Sequence, residues 1–395
     1  MANNLPAGKT AIIVIHGIGE QDPFETLDSF ARGFINHLSS LGMECTLHHE
    51  LANRKGTSGA GWTESFVRIQ LAGGKDQWID IHEYYWAYLT EEKISIREVY
   101  DWITKTLNAS RKFYKEDKEL QTQLEKHRGN KPLPLFWLKV LVGIVSGFEL
   151  WVKLLNAAIT YLLPFAAPVS GWLRNWIYKK TRMVIVGYVG DVAIYTTMDQ
   201  KSRHYRLRSQ ILKEAQVLFE SVINENSYES VIVAGHSLGS VIAYDTLSKL
   251  NLKMNVEKDN PLQVDKITRL VTFGSPLDKI AFFFREHAEK SAYVRRQILG
   301  QLYSFRSESG KYMQAVDISK GERKIETTIS EKIKNLRWIN FHHKKDPISG
   351  PLDYYTGVEN RKLVFEKAWG IAHNGYWDDP EFYRQVYEFC FTDSR

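Results

Sequence analysis

Cysteine is nearly absent: Cys45 and Cys390 are the only two in 395 residues. They lie far apart and share no metal-ligand spacing, so a disulfide framework or a zinc site does not organise this chain, and buried inert thiols are expected. The histidines lack H-E-x-x-H or any related spacing, so neither a metal nor another cofactor is expected. No secretory leader is visible. The first nine residues hold one lysine and no apolar stretch, and the run from Ala11 to Ile15 is too short. The expected location is the cytoplasm, with peripheral attachment to membrane. Internal repeats and low-complexity tracts are lacking, which argues against solenoid and disordered classes. A net charge of +6 comes with no nucleic-acid module. Nucleic acid is therefore not an expected partner, whereas an anionic lipid surface suits that charge.

What the chain has in quantity is apolar and aromatic surface. Hydrophobic residues make up 44% and aromatics 13%, including 11 Trp and 20 Tyr. That composition supports a large core together with an apolar cleft or a membrane contact. Short β-branched runs alternate with helical periodicity. Thr10 to Ile15, Cys45 to Leu51, Ser65 to Leu71, Trp78 to Trp86, Ile267 to Phe273 and Leu336 to Phe341 read as strands, with Leu363 to Phe365 a further short one. Phe24 to Leu41, Glu92 to Leu107, Arg206 to Asn224 and Pro380 to Phe391 read as helices, and Gly190 to Thr197 as a strand or helix end. The expected architecture is α/β, a mostly parallel central sheet with helices on both faces.

One segment breaks the pattern. Arg111 to Lys131 is a charged run closed by Pro132 and Pro134, and Leu135 to Tyr178 is strongly apolar. Leu154 to Leu173 carries no charge and reaches the ~20 residues that a helix needs to span a bilayer. Pro164, Pro168 and Gly171 interrupt it, Trp137, Trp151, Trp172 and Trp176 sit towards its ends, and Arg174, Lys179, Lys180 and Arg182 follow. An amphipathic helical hairpin, lying in a membrane interface or covering a site, fits better than a span. A buried helical cap stays open. The chain thus divides into a first core part (1–110), a charged linker with the apolar helical insertion (111–180), and a second core part (181–395).

The chemistry concentrates in Glu229 to Leu250. An apolar strand pattern, Val231 to Ala234, runs into Gly235-His236-Ser237-Leu238-Gly239, and a helical pattern follows. Glycines flank the serine because the turn crowds its backbone. The serine then sits at a helix N-terminus, which suits developing negative charge. A serine hydroxyl needs a base, and the base an orienting carboxylate. In chain order, Asp346 follows a strand in a D-P turn, and His373 precedes the last helix. His287, His342 and His343 are the other downstream histidines considered, and Asp278 and Asp353 the other acids; His373 and Asp346 fit the order best. An acyl oxyanion needs two N–H donors. Leu238 supplies one, and Ile18, in the His16-Gly17-Ile18-Gly19 loop after the first strand, the second. That loop lacks the Lys-Ser/Thr of a phosphate cradle.

HGIG, GHSLG, TFGSP, the D-P turn and H-x-x-Y-W together resemble the serine lipase and esterase branch of the α/β-hydrolases. More narrowly, GDVAIY (190–195), GHSLGS (235–240), FHHKKDP (341–347) and HNGYW (373–377) are similar to intracellular phospholipase A1-like enzymes of the DDHD type. The resemblance implies hydrolysis of carboxylic esters, on a lipid or other acyl-ester substrate, through an acyl-enzyme. An acyltransferase using the same triad, and an inactive hydrolase fold serving as a membrane interaction module, are the alternatives. A membrane surface, met through 135–178, is the expected partner.

Overall fold

A computed structural model describes residues 8–17, 22–55, 61–71, 77–90, 203–257, 259, 261–280, 305–306, 330–346, 348–366 and 371–392. The chain divides into two units, Met1–Glu91 with Thr197–Arg395, and Glu92–Thr196. The second lies outside the described residues, as do the expected helix at 92–107, the 111–180 insertion, the 190–197 element and the domain boundaries near 110 and 180. Among the described residues no helix is long and apolar enough to cross a membrane.

The strands are β1 (Lys9–Ile15), β2 (Cys45–Lys55), β3 (Gly61–Leu71), β4 (Trp78–Tyr84), β5 (Ser230–His236), β6 (Ile267–Phe273), β7 (Arg337–His343) and β8 (Val358–Leu363). They form one eight-stranded sheet in the order β2-β3-β4-β1-β5-β6-β7-β8. From β4 to β8 every neighbouring pair is parallel, and β2 and β3 extend the sheet antiparallel. The central strands are apolar without alternation because both of their faces are covered: Ala11 to Ile15 and Val231 to Ala234 are all buried.

The helices are α1 (Glu25–Ser40), α2 (Arg203–Ile223), α3 (Leu238–Val256), the single turn α4 (Leu277–Ile280) and α5 (Pro380–Tyr387). Strand parity sorts them onto the two faces. Ile12, Val14, Ile232, Ala234, Val271, Phe273, Ile339 and Phe341 share a buried cluster with Phe30, Phe34 and Leu38 of α1 and Phe382, Tyr383 and Val386 of α5. Each valine, leucine, isoleucine and phenylalanine among them contributes about 1.5–3 kcal/mol by leaving water. The opposite parity meets α2 and α3: Trp338 stacks on Tyr244 at 5.4 Å, and the Tyr84 hydroxyl donates to the Ile211 carbonyl. The mostly parallel sheet flanked by helices is the expected one; the insertion is not among the described parts.

Several boundaries differ from the sequence reading: β2 runs on to Lys55, β3 starts at Gly61 and β4 stops at Tyr84. β8 ends at Leu363 instead of beginning there, because Val358–Leu363 is a largely polar edge strand with little apolar signal. α5 stops at Tyr387, and a π-helical turn, Glu388–Thr392, continues to the end of the predicted helix. The start of α5 is set by Asp379, which accepts from the Glu381 N–H, with Pro380 in the first turn. Both cysteines are free and half-buried. Burial raises both thiols, Cys390 to about 12, which keeps them protonated.

Candidate active site

The carboxyl ends of β1, β5, β6 and β7 converge on Ser237. Between β5 and α3 the chain reverses in one residue, so Ser237 takes φ 51° and ψ −125°, a conformation that costs a side-chain-bearing residue about 1–3 kcal/mol. Its neighbours show why glycine flanks it. A Cβ on Gly235 would lie 2.6 Å from the Ser240 Cα, and one on Gly239 would lie 2.3 Å from the Ile15 carbonyl oxygen. Gly17, at the end of β1, has the same need, since a Cβ there would lie 2.7 Å from the Ser237 Cβ. The loop after β1 therefore abuts the serine itself.

Ser237 is fully buried, and so are His373 and Asp346. His373 Nε2 lies 2.8 Å from Ser237 Oγ, and His373 Nδ1 lies 3.0 Å from Asp346 Oδ2. With Nδ1–H donating to the carboxylate, the Nε2 lone pair faces the serine hydroxyl. Burial alone would raise the Asp346 carboxyl. The His373 hydrogen bond and charge, the Ile348 N–H and the Ser349 hydroxyl outweigh that and hold it well below the usual carboxylate range. Tyr376 donates from its hydroxyl to the same Oδ2 at 3.0 Å, and burial beside Asp346 raises that phenol far above its ordinary value. Asp346 is thus a fixed anion with a dedicated donor set.

Two further histidines frame the group while staying neutral. His236 donates from Nε2 to the His373 carbonyl at 3.0 Å, and burial, then the neighbouring His373, lowers it to about 3. His16 accepts from the Trp86 N–H on Nε2 and donates from Nδ1 to the Gly17 carbonyl, at 3.0 and 2.8 Å. Burial lowers it to about 4. Its ring stacks on Trp86, 5.0 Å between centroids and 2° between planes. The start of the HGIG loop is thereby pinned to the segment after β4. Ile18 and Gly19 lie outside the described residues. Leu238 opens α3, where an N–H has no intrahelical acceptor and is directed outward.

The other histidines and acids that the sequence offered stand elsewhere. His343 stacks on Phe365 at 4.2 Å, and its Nδ1 accepts from the Lys345 N–H. Asp278 accepts from the Asp353 and Tyr354 N–H groups, and Asp353 is exposed. His342 is only half-buried, and burial lowers it. His287 is outside the described residues. Among the described residues no group of histidines, cysteines and acids is arranged to hold a metal.

A buried serine between an imidazole and a helix N-terminus is placed as a nucleophile could be. A family model described as lipase (class 3) matches residues 170–299. The match supports a lipase-like α/β-hydrolase, and a lipase-type ester hydrolase in general. It spans β5, Ser237, α3 and β6, whereas Asp346 and His373 lie beyond it. No curated protein matches the chain.

Several residues around this lipase-like elbow carried no separate signal in the sequence. Ser275 donates to Ser240 Oγ at 2.7 Å, and Ser240 donates to the Ser237 carbonyl at 2.5 Å. The TFGSP loop and the elbow are therefore one hydrogen-bonded unit. Gly274 takes φ 61°, and a Cβ there would lie 3.1 Å from His373 Cε1. Ser349 and Tyr376 complete the surroundings of Asp346, joined by hydroxyl groups 3.1 Å apart. The repeated glycine and serine after β6, and the tyrosine of HNGYW, were the available hints.

Proposed function

We propose that the chain is a serine hydrolase that cleaves carboxylic esters through an acyl-enzyme. Ser237 is the nucleophile, His373 the general base and then general acid, and Asp346 its orienting anion. The N–H groups of Leu238 and Ile18 receive the oxyanion. The observation that carries this reading is the unbroken Ser237–His373–Asp346 hydrogen-bond chain at 2.8 and 3.0 Å on a backbone held at positive φ. His373 takes the serine proton as Oγ attacks the carbonyl. It then delivers that proton to the leaving alkoxide, and water repeats the sequence in reverse to release the acid.

The substrate we assign is a lipid-like acyl ester, which the class 3 lipase match and the narrower DDHD-type likeness support. Work at a cytoplasmic membrane surface, met through 135–178, is supported by the apolar run and its Trp and Lys/Arg flanks. Labelling by a fluorophosphonate probe tests the reaction, with expected complete loss in Ser237→Ala and a fall in ester turnover of about 10⁴-fold or more. If Ser237→Ala labels as well as the parent, the nucleophile is another residue. Turnover of p-nitrophenyl esters against phospholipids, with product analysis on mixed lipid, tests the substrate class and separates hydrolysis from acyl transfer.

A further inference from the structure

We infer that β2 is a homodimer edge, pairing antiparallel with β2 of a second copy about a two-fold axis through His49. The two borders of the sheet differ. β8 has six residues and carries Glu359, Arg361 and Lys362, the short charged design that discourages edge pairing. β2 has eleven residues, no proline, and an unbroken register with β3 from Cys45 opposite Leu71 to Lys55 opposite Gly61. It ends the sheet, so its outer edge has no strand partner among the described residues. Its charged Arg54 is turned inward and buried against Glu64 at 2.6 Å. The side chains that β2 shows to solvent include Leu47 at 55% and Leu51 at 64% exposure. His48, His49 and Glu50 lie between those leucines, so the strand is mixed in character, but a long, regular edge with two exposed leucines needs a partner.

The sequence of β2 identifies that partner as itself. Two copies related by an axis perpendicular to the sheet keep the same faces, so odd positions meet odd positions. With His49 on the axis, Leu47 stands opposite the partner's Leu51 on one face. On the other face His48 stands opposite the partner's Glu50, giving a complementary polar pair twice over. Shifting the axis by one residue either way sets Leu47 or Leu51 against His49 and removes the His48–Glu50 match. The α1 side of β2 leaves room for this pairing. Between α1 and the β2–β3 hairpin lies an open groove of about 490 Å³, lined among others by Phe24, Leu27, Ile35, Leu47 and Val67. In the pair, the four leucines form one apolar strip beside two such grooves. The inference does not depend on ester hydrolysis.

Sedimentation of the full chain tests it, with thermal unfolding as the control for folding. The expected species has twice the mass of the chain. Leu47→Lys with Leu51→Lys should weaken association at least tenfold, without moving the unfolding midpoint measured at dilutions where both proteins are monomers, since both side chains are exposed. His48→Glu should also dissociate the dimer by facing Glu50 of the copy, and adding E50K should restore it. A chain monomeric at every concentration, as expected if a peptide or a membrane covers this edge instead, overturns the inference. So does a dimer that these substitutions leave intact.

Discussion

Tyr376 is the residue whose removal best separates positioning from chemistry. Its hydroxyl shares Asp346 Oδ2 with His373, and Asp346 keeps the Ile348 and Ser349 N–H groups without it. Tyr376→Phe should therefore leave the carboxylate charged but less firmly held. We expect kcat on a soluble ester to fall about tenfold with KM unchanged, the scale of one hydrogen bond to a charged group. An unchanged kcat would show that the backbone donors suffice. The neutral histidines give a pH prediction. Below pH 6.5 the unfolded chain protonates these histidines, while folded His16 and His236 stay neutral down to about 4 and 3. Stability must fall as pH drops through that window, for His16 by about 3 kcal/mol in full. Glu83 has the opposite sign. Burial raises its carboxyl from 4.5 to about 7 although it accepts from the Phe24 N–H. Its stabilisation is complete below 4.5 and lost as pH rises through 7. Urea unfolding between pH 7 and 4.5 should show a net fall, steeper in Glu83→Gln.

At the scale of elements, the elbow joins β5 to α3 under contacts so close that two glycines should respond differently. A Cβ on Gly239 meets the Ile15 and His16 carbonyl oxygens at 2.3 and 2.4 Å, backbone that cannot swing aside. Gly239→Ala should push α3 off β1, costing about 3 kcal/mol and lowering the unfolding midpoint. A Cβ on Gly17 meets the Ser237 Cβ at 2.7 Å, in a loop end. Gly17→Ala should keep most of the stability and lose fluorophosphonate labelling by 100-fold or so. Equal stability losses in both would mean that the β1 loop is structural. The elements themselves were legible where burial on both faces left an uninterrupted apolar run, as in β5 and β6. β8 was misplaced because an edge strand needs few apolar residues. That Ser237, Asp346 and His373 come together was legible because each stands in a turn or loop where a strand pattern ends or a helix pattern begins. Tyr376, Ser275 and Gly274 were not, since their roles depend on which loops meet after folding.

For the whole molecule, the triad and the charge-free apolar run lie in different parts of the chain. Ser237, fully buried, sits in the unit formed by 1–91 and 197–395, whereas the charge-free run from Leu154 to Leu173 belongs to 92–196. Nothing in the triad requires that run, so its uncharged length needs a reason of its own, and the net charge of +6 with flanking Arg174, Lys179, Lys180 and Arg182 supplies one. Such a segment gains by burying apolar surface in an interface and by attraction to anionic headgroups, and the second gain is screened by salt over about 10 Å at 0.1 M. The full chain should accordingly float with anionic liposomes, more weakly with zwitterionic ones, and release as salt is raised. Replacing 135–178 by a short polar linker should abolish flotation while leaving turnover of short soluble esters within a few-fold. If flotation survives the replacement, the membrane contact lies in the core. If soluble esters lose turnover together with flotation, the segment serves the site directly, as a cap.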